Sequence, residues 1–134
     1  MKSIFIKDDE TVEVDIFFVK NENGDMFLGN KKDALLKQEG VAKDSLEEHK
    51  VTFKYPNHGD MNDILSKSIQ MGIGGLTIDP IAARVNRLTV LLKDWTFVDD
   101  DGKKLPINVT NINKLHSSVA DFILTEFELK TGIE

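Results

Sequence analysis

The amino-acid sequence predicts an α+β fold: an N-terminal antiparallel sheet of about four strands, followed by three main helices. Two observations carry this prediction. Before residue 56 apolar and polar residues alternate, most clearly at Val12, Val14, Ile16 and Phe18 against Glu13 and Asp15. Beyond residue 60 the apolar spacing lengthens to helical steps, as in Val85, Leu88, Leu91, Leu92 and Trp95. Strands come first and helices after, which argues against alternating βαβ units.

Residues 3–28 read as three strands. Ile4 and Ile6 read as a first short strand before the polar turn Asp8-Asp9-Glu10, and the Val12–Phe18 strand follows. Asn21-Glu22-Asn23-Gly24-Asp25 is a strong turn signal, because Asn and Gly adopt positive φ at little cost, and Met26-Phe27-Leu28 returns as the third strand. Asn30 is placed to cap a short helix over Lys31–Glu39 that ends at Gly40, and Val41–Glu48 reads as a loop or a second short helix. Val51, Phe53 and Tyr55 alternate as a fourth strand that stops at Pro56, which has no N–H for a central ladder.

In the second half, Asp60 is placed to cap a helix from Met61 to about Met71, with Asp63 near its positive end. Gly72-Ile73-Gly74-Gly75 breaks that helix and reads as a flexible hinge to the next. Asp79-Pro80 is an N-cap followed by Pro at N1, and the helix it opens carries Val85 through Trp95 on one face. After the loop at 99–108, Thr110 caps a short turn of helix over Asn111–Leu115. Ser117 or Ser118 opens the last helix, with Val119, Phe122, Ile123 and Phe127 on one stripe and Gly132 beyond its end. We read 1–134 as a single domain, 1–56 mainly strands and 57–134 mainly helices, since either half alone would bury too little surface.

Composition narrows the chemistry. A chain of 134 residues with no cysteine has neither a disulfide nor a thiolate metal site nor a Cys nucleophile. No apolar run approaches the ~20 residues of a membrane helix, and MKSIFIKDDE lacks the long apolar stretch of a signal peptide. The net charge of −6, with scattered lysines, disfavours nucleic acid and leaves protein as the expected class of partner.

Three motifs invite a chemical reading. Asp99-Asp100-Asp101-Gly102 suggests a calcium loop. With Gly102 at the sixth position, however, Phe97 falls at the first and Asn108 at the twelfth, where a calcium loop needs an acid and a bidentate Glu. Asn21–Gly24 fails the same test with Val19 first, so both read as turns. Gly72, Gly74 and Gly75 fit neither a dinucleotide fingerprint nor a P-loop. His49, His58 and His116 show no metal-ligand spacing; His58 with Asp60 is a conceivable ligand pair but reads better as a loop into an N-cap. Neither a catalytic residue nor a cofactor or metal site is therefore expected. Trp95, Phe122, Ile123 and Phe127 are the candidate partner-binding residues. Their helical spacing fits the core, the favoured reading for Trp95, and it also fits a groove that receives a partner's amphipathic helix.

From Arg84 to Leu124 the order of residues adds a further reading. Lys93-Asp94-Trp95 ends a predicted helix, then come Asp100-Asp101-Gly102-Lys103, Leu105-Pro106, Asn111-Ile112-Asn113-Lys114-Leu115 and Val119-Ala120-Asp121-Phe122-Ile123. This resembles a pattern in small proteins of tailed bacteriophages described as tail assembly chaperones or tail-associated proteins. The resemblance covers about the C-terminal third and includes no catalytic residue. It implies a non-enzymatic, chaperone-like tail assembly factor in the host cytoplasm, binding a tape measure protein or tail tube subunit through apolar helix faces. The alternative it implies is a structural tail or baseplate subunit retained in the virion.

Overall fold

Alternation at Val12–Phe18 marks a strand with one buried face, and the computed structural model, which describes residues 4–132, pairs it on both sides. Strand β1 (Thr11–Asn21) runs antiparallel to β2 (Met26–Gly29) and to β3 (Val41–Lys54). A fourth strand, β6 (Leu92–Trp95), pairs with β3, giving the antiparallel order β2-β1-β3-β6. Facing residues Val14 and Val51 pair directly, as do Val12 and Phe53, so the apolar rows of β1 and β3 merge into one face. Near its end β1 meets an irregularity: register shifts between Phe18 and Lys20, and Ser45 fills the gap by accepting from the Lys20 N–H at 2.8 Å.

The β1–β2 turn forms where Asn and Gly predict it. The Asn21 side-chain oxygen accepts from the N–H groups of Asn23 and Asp25, both at 2.9 Å. On the sheet face opposite the main core, helix α1 (Lys32–Leu36) seats Leu35 against Gly29. A Cβ at Gly29 would lie 2.9 Å from Leu35, so the close approach requires glycine.

Helix α2 (His58–Ser68) begins with a capping box: Asn57 Oδ1 accepts from the Asp60 N–H at 2.8 Å, and Asp60 accepts from the Asn57 N–H at 3.1 Å. Lys54 closes on Asp60 at 3.0 Å and ties this helix start to β3. Helix α3 (Pro80–Leu91) packs beside α2 and starts at the Asp79 cap, whose carboxylate accepts from the Ile81 N–H at 3.0 Å. Helix α4 (Val109–Lys114) is capped by Asn108, and α5 (Ser117–Thr131) by the His116 side chain. Helix α5 lies across β1, and two ion pairs hold α3 to it: Arg84–Asp121 at 2.7 Å and Arg87–Glu128 at 2.6 Å.

One core joins these layers. Val14, Ile16, Val51 and Phe53 from the sheet meet Leu88, Leu91, Trp95, Ile123 and Phe127, with Phe53 and Phe127 rings 4.6 Å apart. Burying each large side chain is worth about 1.5–3 kcal/mol, so this contact surface holds the sheet and helices together.

The α+β class holds, with the sheet near the N-terminus and the main helices after it. Several elements differ from their sequence expectation. Ile4 and Ile6 lie in no strand. Val41–Glu48 is the first half of β3 rather than a loop or helix, because pairing with β1 holds polar residues extended. Helix α1 is shorter than Lys31–Glu39, and Asn30 does not cap it; its amide instead donates to Glu126 at 3.1 Å. Asn57 and Asn108, not Asp60 and Thr110, are the N-caps of α2 and α4. The largest differences are two: helix α2 stops at Ser68, where a second small sheet begins, and α3 stops at Leu91, so that Leu92 and Trp95 belong to β6.

Candidate functional site

Between α2 and α3 the chain forms a β-hairpin from β4 (Ile69–Gly72) and β5 (Gly75–Ile78), separate from the main sheet. The local sequence accounts for it. Ile69-Gln70-Met71 and Leu76-Thr77-Ile78 alternate apolar and polar, with Ile73-Gly74 as a two-residue loop. Register pairs Ile69 with Ile78, Met71 with Leu76, and Gln70 with Thr77. One face of the hairpin is thus entirely Ile, Met and Leu, and the other is polar.

That apolar face is open toward the hairpin tip. Met71 is 81% exposed and Leu76 68%, and Ile73 at the tip is fully exposed. Nearby on α2 and α3, Leu65 and Ile81 are exposed as well. Residues 69–78 contain no charged side chain and no proline. These are the usual protections of a strand edge, and both outer edges of this hairpin lack them. A lone two-stranded hairpin is at best marginally stable in water, so the rest of the fold must hold it.

Its base supplies the hold. The Asp79 N–H donates to the Ser68 carbonyl at 2.8 Å, closing the hairpin across its open end. The buried Ser68 hydroxyl donates to the Ile64 carbonyl at 2.5 Å and accepts from the Asn86 amide at 3.1 Å. A polar clamp therefore ties α2, α3 and the hairpin base together. The arrangement presents an apolar surface on a two-stranded sheet whose outer edges are paired with no further strand among the described residues.

The residues singled out in the sequence fall elsewhere. Trp95, Ile123 and Phe127 are 1%, 0% and 1% exposed, packed together in the core, and the Trp95 indole N–H donates to the Leu105 carbonyl at 2.6 Å. Phe122 is half-buried at the core's margin. A partner helix docking on the first three would displace the molecule's own sheet. Gly72-Ile73-Gly74-Gly75 is the hairpin tip and not a hinge between helices. Asp99–Gly102 is a turn: the Asp99 carboxylate accepts from the N–H groups of Asp101 and Lys103 at 2.9 and 3.0 Å, and Gly102 takes a φ of 78°.

The histidines do not converge. His58 meets Asn62 at 3.1 Å, while Asp60 is engaged by Asn57 and Lys54. His116 caps α5, and His49 packs between Phe18 and Phe97 with ring centroids at 5.3 and 5.0 Å. A shallow cleft of about 280 Å³ lies beside these rings, bordered by Glu47 and His116. Among the described residues no group of three or more acidic or imidazole side chains is placed to hold a metal ion. The carboxyl of Asp94 is held below its ordinary value by its hydrogen bond from Lys104. No helix among the described residues is long and apolar enough to cross a membrane.

The hairpin residues Ile69, Met71, Ile73, Leu76 and Ile78 were absent from the sequence-derived candidates. Their signal is the alternation on either side of a glycine-rich loop, which the helical reading of Met61–Met71 overrode. No protein-family model matches the chain, and no curated protein or solved structure is significantly similar to it.

Proposed function

We propose that this chain is a non-catalytic assembly factor of a tailed bacteriophage that binds another tail protein, such as a tape measure protein or tail tube subunit, in the host cytoplasm. The supporting observation is the apolar face of the β4–β5 hairpin, open toward its tip and set on a well-closed body. The phage-like order of residues from Arg84 to Leu124 supplies the biological context. In this reading the contact shifts from Trp95, Phe122, Ile123 and Phe127 to Ile69, Met71, Ile73, Leu76 and Ile78. A long apolar helix laid on that face is kept from aggregating, and the chain's net charge of −6 keeps the complex dispersed.

Co-expression with the tape measure protein of the same genome tests the proposal. Wild-type chain should raise the soluble yield of that protein, and Met71→Asp with Leu76→Asp should abolish the gain. No change in yield with wild type overturns the reading. The outer edges of β4 and β5, which pair with no further strand among the described residues, favour a second reading, a structural tail or baseplate subunit retained in the virion. Mass spectrometry of purified particles separates the two: a structural subunit appears at fixed copy number, whereas an assembly factor is scarce or missing.

A further inference from the structure

The hydrogen-bond phase of the β4–β5 hairpin gives β5 an outer edge that complements itself. We propose that β5 pairs antiparallel with β5 of a second copy about a two-fold axis centred on Thr77, joining two hairpins into one four-stranded sheet. In an antiparallel ladder, pairs that exchange both N–H···O bonds alternate with pairs that turn those groups outward. The Asp79 N–H donates to the Ser68 carbonyl at 2.8 Å, which sets the phase. Gln70–Thr77 is then a bonded pair, whereas Ile69–Ile78 and Met71–Leu76 are not. The N–H and C=O groups of Leu76 and Ile78 therefore point away from β4, along the outer edge of β5.

A register centred on Thr77 uses all of these groups. Leu76 of each copy lies opposite Ile78 of the other and exchanges both bonds with it. The two Thr77 side chains meet across the axis on the polar face, a favourable cross-strand pair. An axis perpendicular to the sheet keeps both apolar faces on one side. Ile69, Met71, Leu76 and Ile78 of the two copies then form one continuous surface, still open to a partner.

Charge assigns the edge to a second copy. Two chains of net charge −6 repel wherever their acidic surfaces meet, so self-contact belongs where charge is absent. Ser68–Ile78 is the longest run in the chain without Asp, Glu, Lys or Arg. The flanking residues select β5 over β4. Counted along the register, the tip residue Ile73 of each copy reaches the start of the other's α3, where Ile81 is 76% exposed. The equivalent pairing of β4, centred on Gln70, would carry Ile73 to Lys67, whose ammonium lies 3.3 Å from Asp63. An isologous contact of this kind closes at the dimer.

Sedimentation velocity of the intact chain over a dilution series should show monomers and dimers without larger species. Thr77 is exposed on the polar face, so Thr77→Lys and Thr77→Glu should leave the circular dichroism unchanged. Each sets like charges face to face and should weaken dimerisation about fivefold or more. An equimolar mixture of the two sets opposite charges face to face and should restore dimers. Cross-linking reads the register directly. The chain has no cysteine, so a disulfide in Thr77→Cys joins only separate copies. Facing residues at such a position have Cα atoms about 4.5 Å apart, a span that a disulfide bridges. Mild oxidation should therefore link Thr77→Cys into dimers much faster than Gln70→Cys, which is equally exposed on β4. Wild type that stays monomeric at every soluble concentration overturns the proposal. So does equal cross-linking of the two cysteine variants, or a charge-paired mixture that associates no better than either variant alone. None of these measurements involves a second protein, so this contact and the assembly role fail separately.

Discussion

The sheet–α5 layer and the β4–β5 hairpin follow the same pattern, with opposite outcomes. In both, alternate residues of paired strands build an apolar face. In the first, Val14, Ile16, Val51 and Phe53 are closed over by Ile123, Leu124 and Phe127. In the second, Met71 and Leu76 are 81% and 68% exposed, while Ile69 and Ile78 nearer the base are only partly covered. Alternation therefore specifies that a strand has an apolar side, but it does not say whether the same molecule supplies the cover. The two regions should respond to substitution in opposite ways.

Phe127→Ala should give the largest effect. It removes a ring packed at a tilt against Phe53 in a fully closed space, and the cavity should cost about 3–5 kcal/mol in urea denaturation. A loss below about 1 kcal/mol would show that this layer is as open as the hairpin. Ser68→Ala comes next, because it tests the joint between the two regions. Losing the hydroxyl leaves the half-buried Asn86 amide without its acceptor, at about 1–3 kcal/mol, and hydrogen exchange at 69–78 should quicken more than at β1.

Asn57→Ala removes the α2 cap and should cost about 1 kcal/mol by thermal melting. Ile73→Asp should alter stability by no more than about 0.5 kcal/mol while raising solubility, the reverse of any core change. The smallest effect concerns pH. Lys104 holds the Asp94 carboxyl below its ordinary value of 3.8, so the pair contributes stability above that pH and loses it as pH falls through the lower folded value. A small stability gap between wild type and Lys104→Met at neutral pH should accordingly close in acid. Both side chains are more than half exposed, which keeps the gap small.

Legibility in the sequence followed the same division. The β1 and β2 strands were readable from their alternation, and the Asn21–Asp25 turn, the Asp79-Pro80 start of α3 and the Asp99–Gly102 turn because each depends on contacts within a few residues. The N-terminal half of β3 was not, since Glu47 and Glu48 carry no apolar pattern and are extended because Phe18 and Phe17 of β1 pair with them. Strand β6 was hidden for a different reason. Leu88, Leu91, Leu92 and Trp95 satisfy helical spacing, and only pairing of Trp95 with Val51 reveals the change to strand. The candidate site was present in the letters as two alternating triplets around glycine. It was assigned to a helix end because Met61–Met71 also reads as continuous, and exposure cannot be inferred from alternation.

The late position of β6 in the chain has a consequence for biosynthesis. It is the sheet neighbour of β3, yet 37 residues separate Lys54 from Leu92, and both long helices of the α2–α3 pair lie in that interval. As the polypeptide leaves the ribosome, the flank of β3 that carries Val51 and Phe53 waits open until Trp95 has emerged. The nascent chain is then most prone to stray pairing, and release halted just before Leu92 would leave a truncated product whose first fate is clumping.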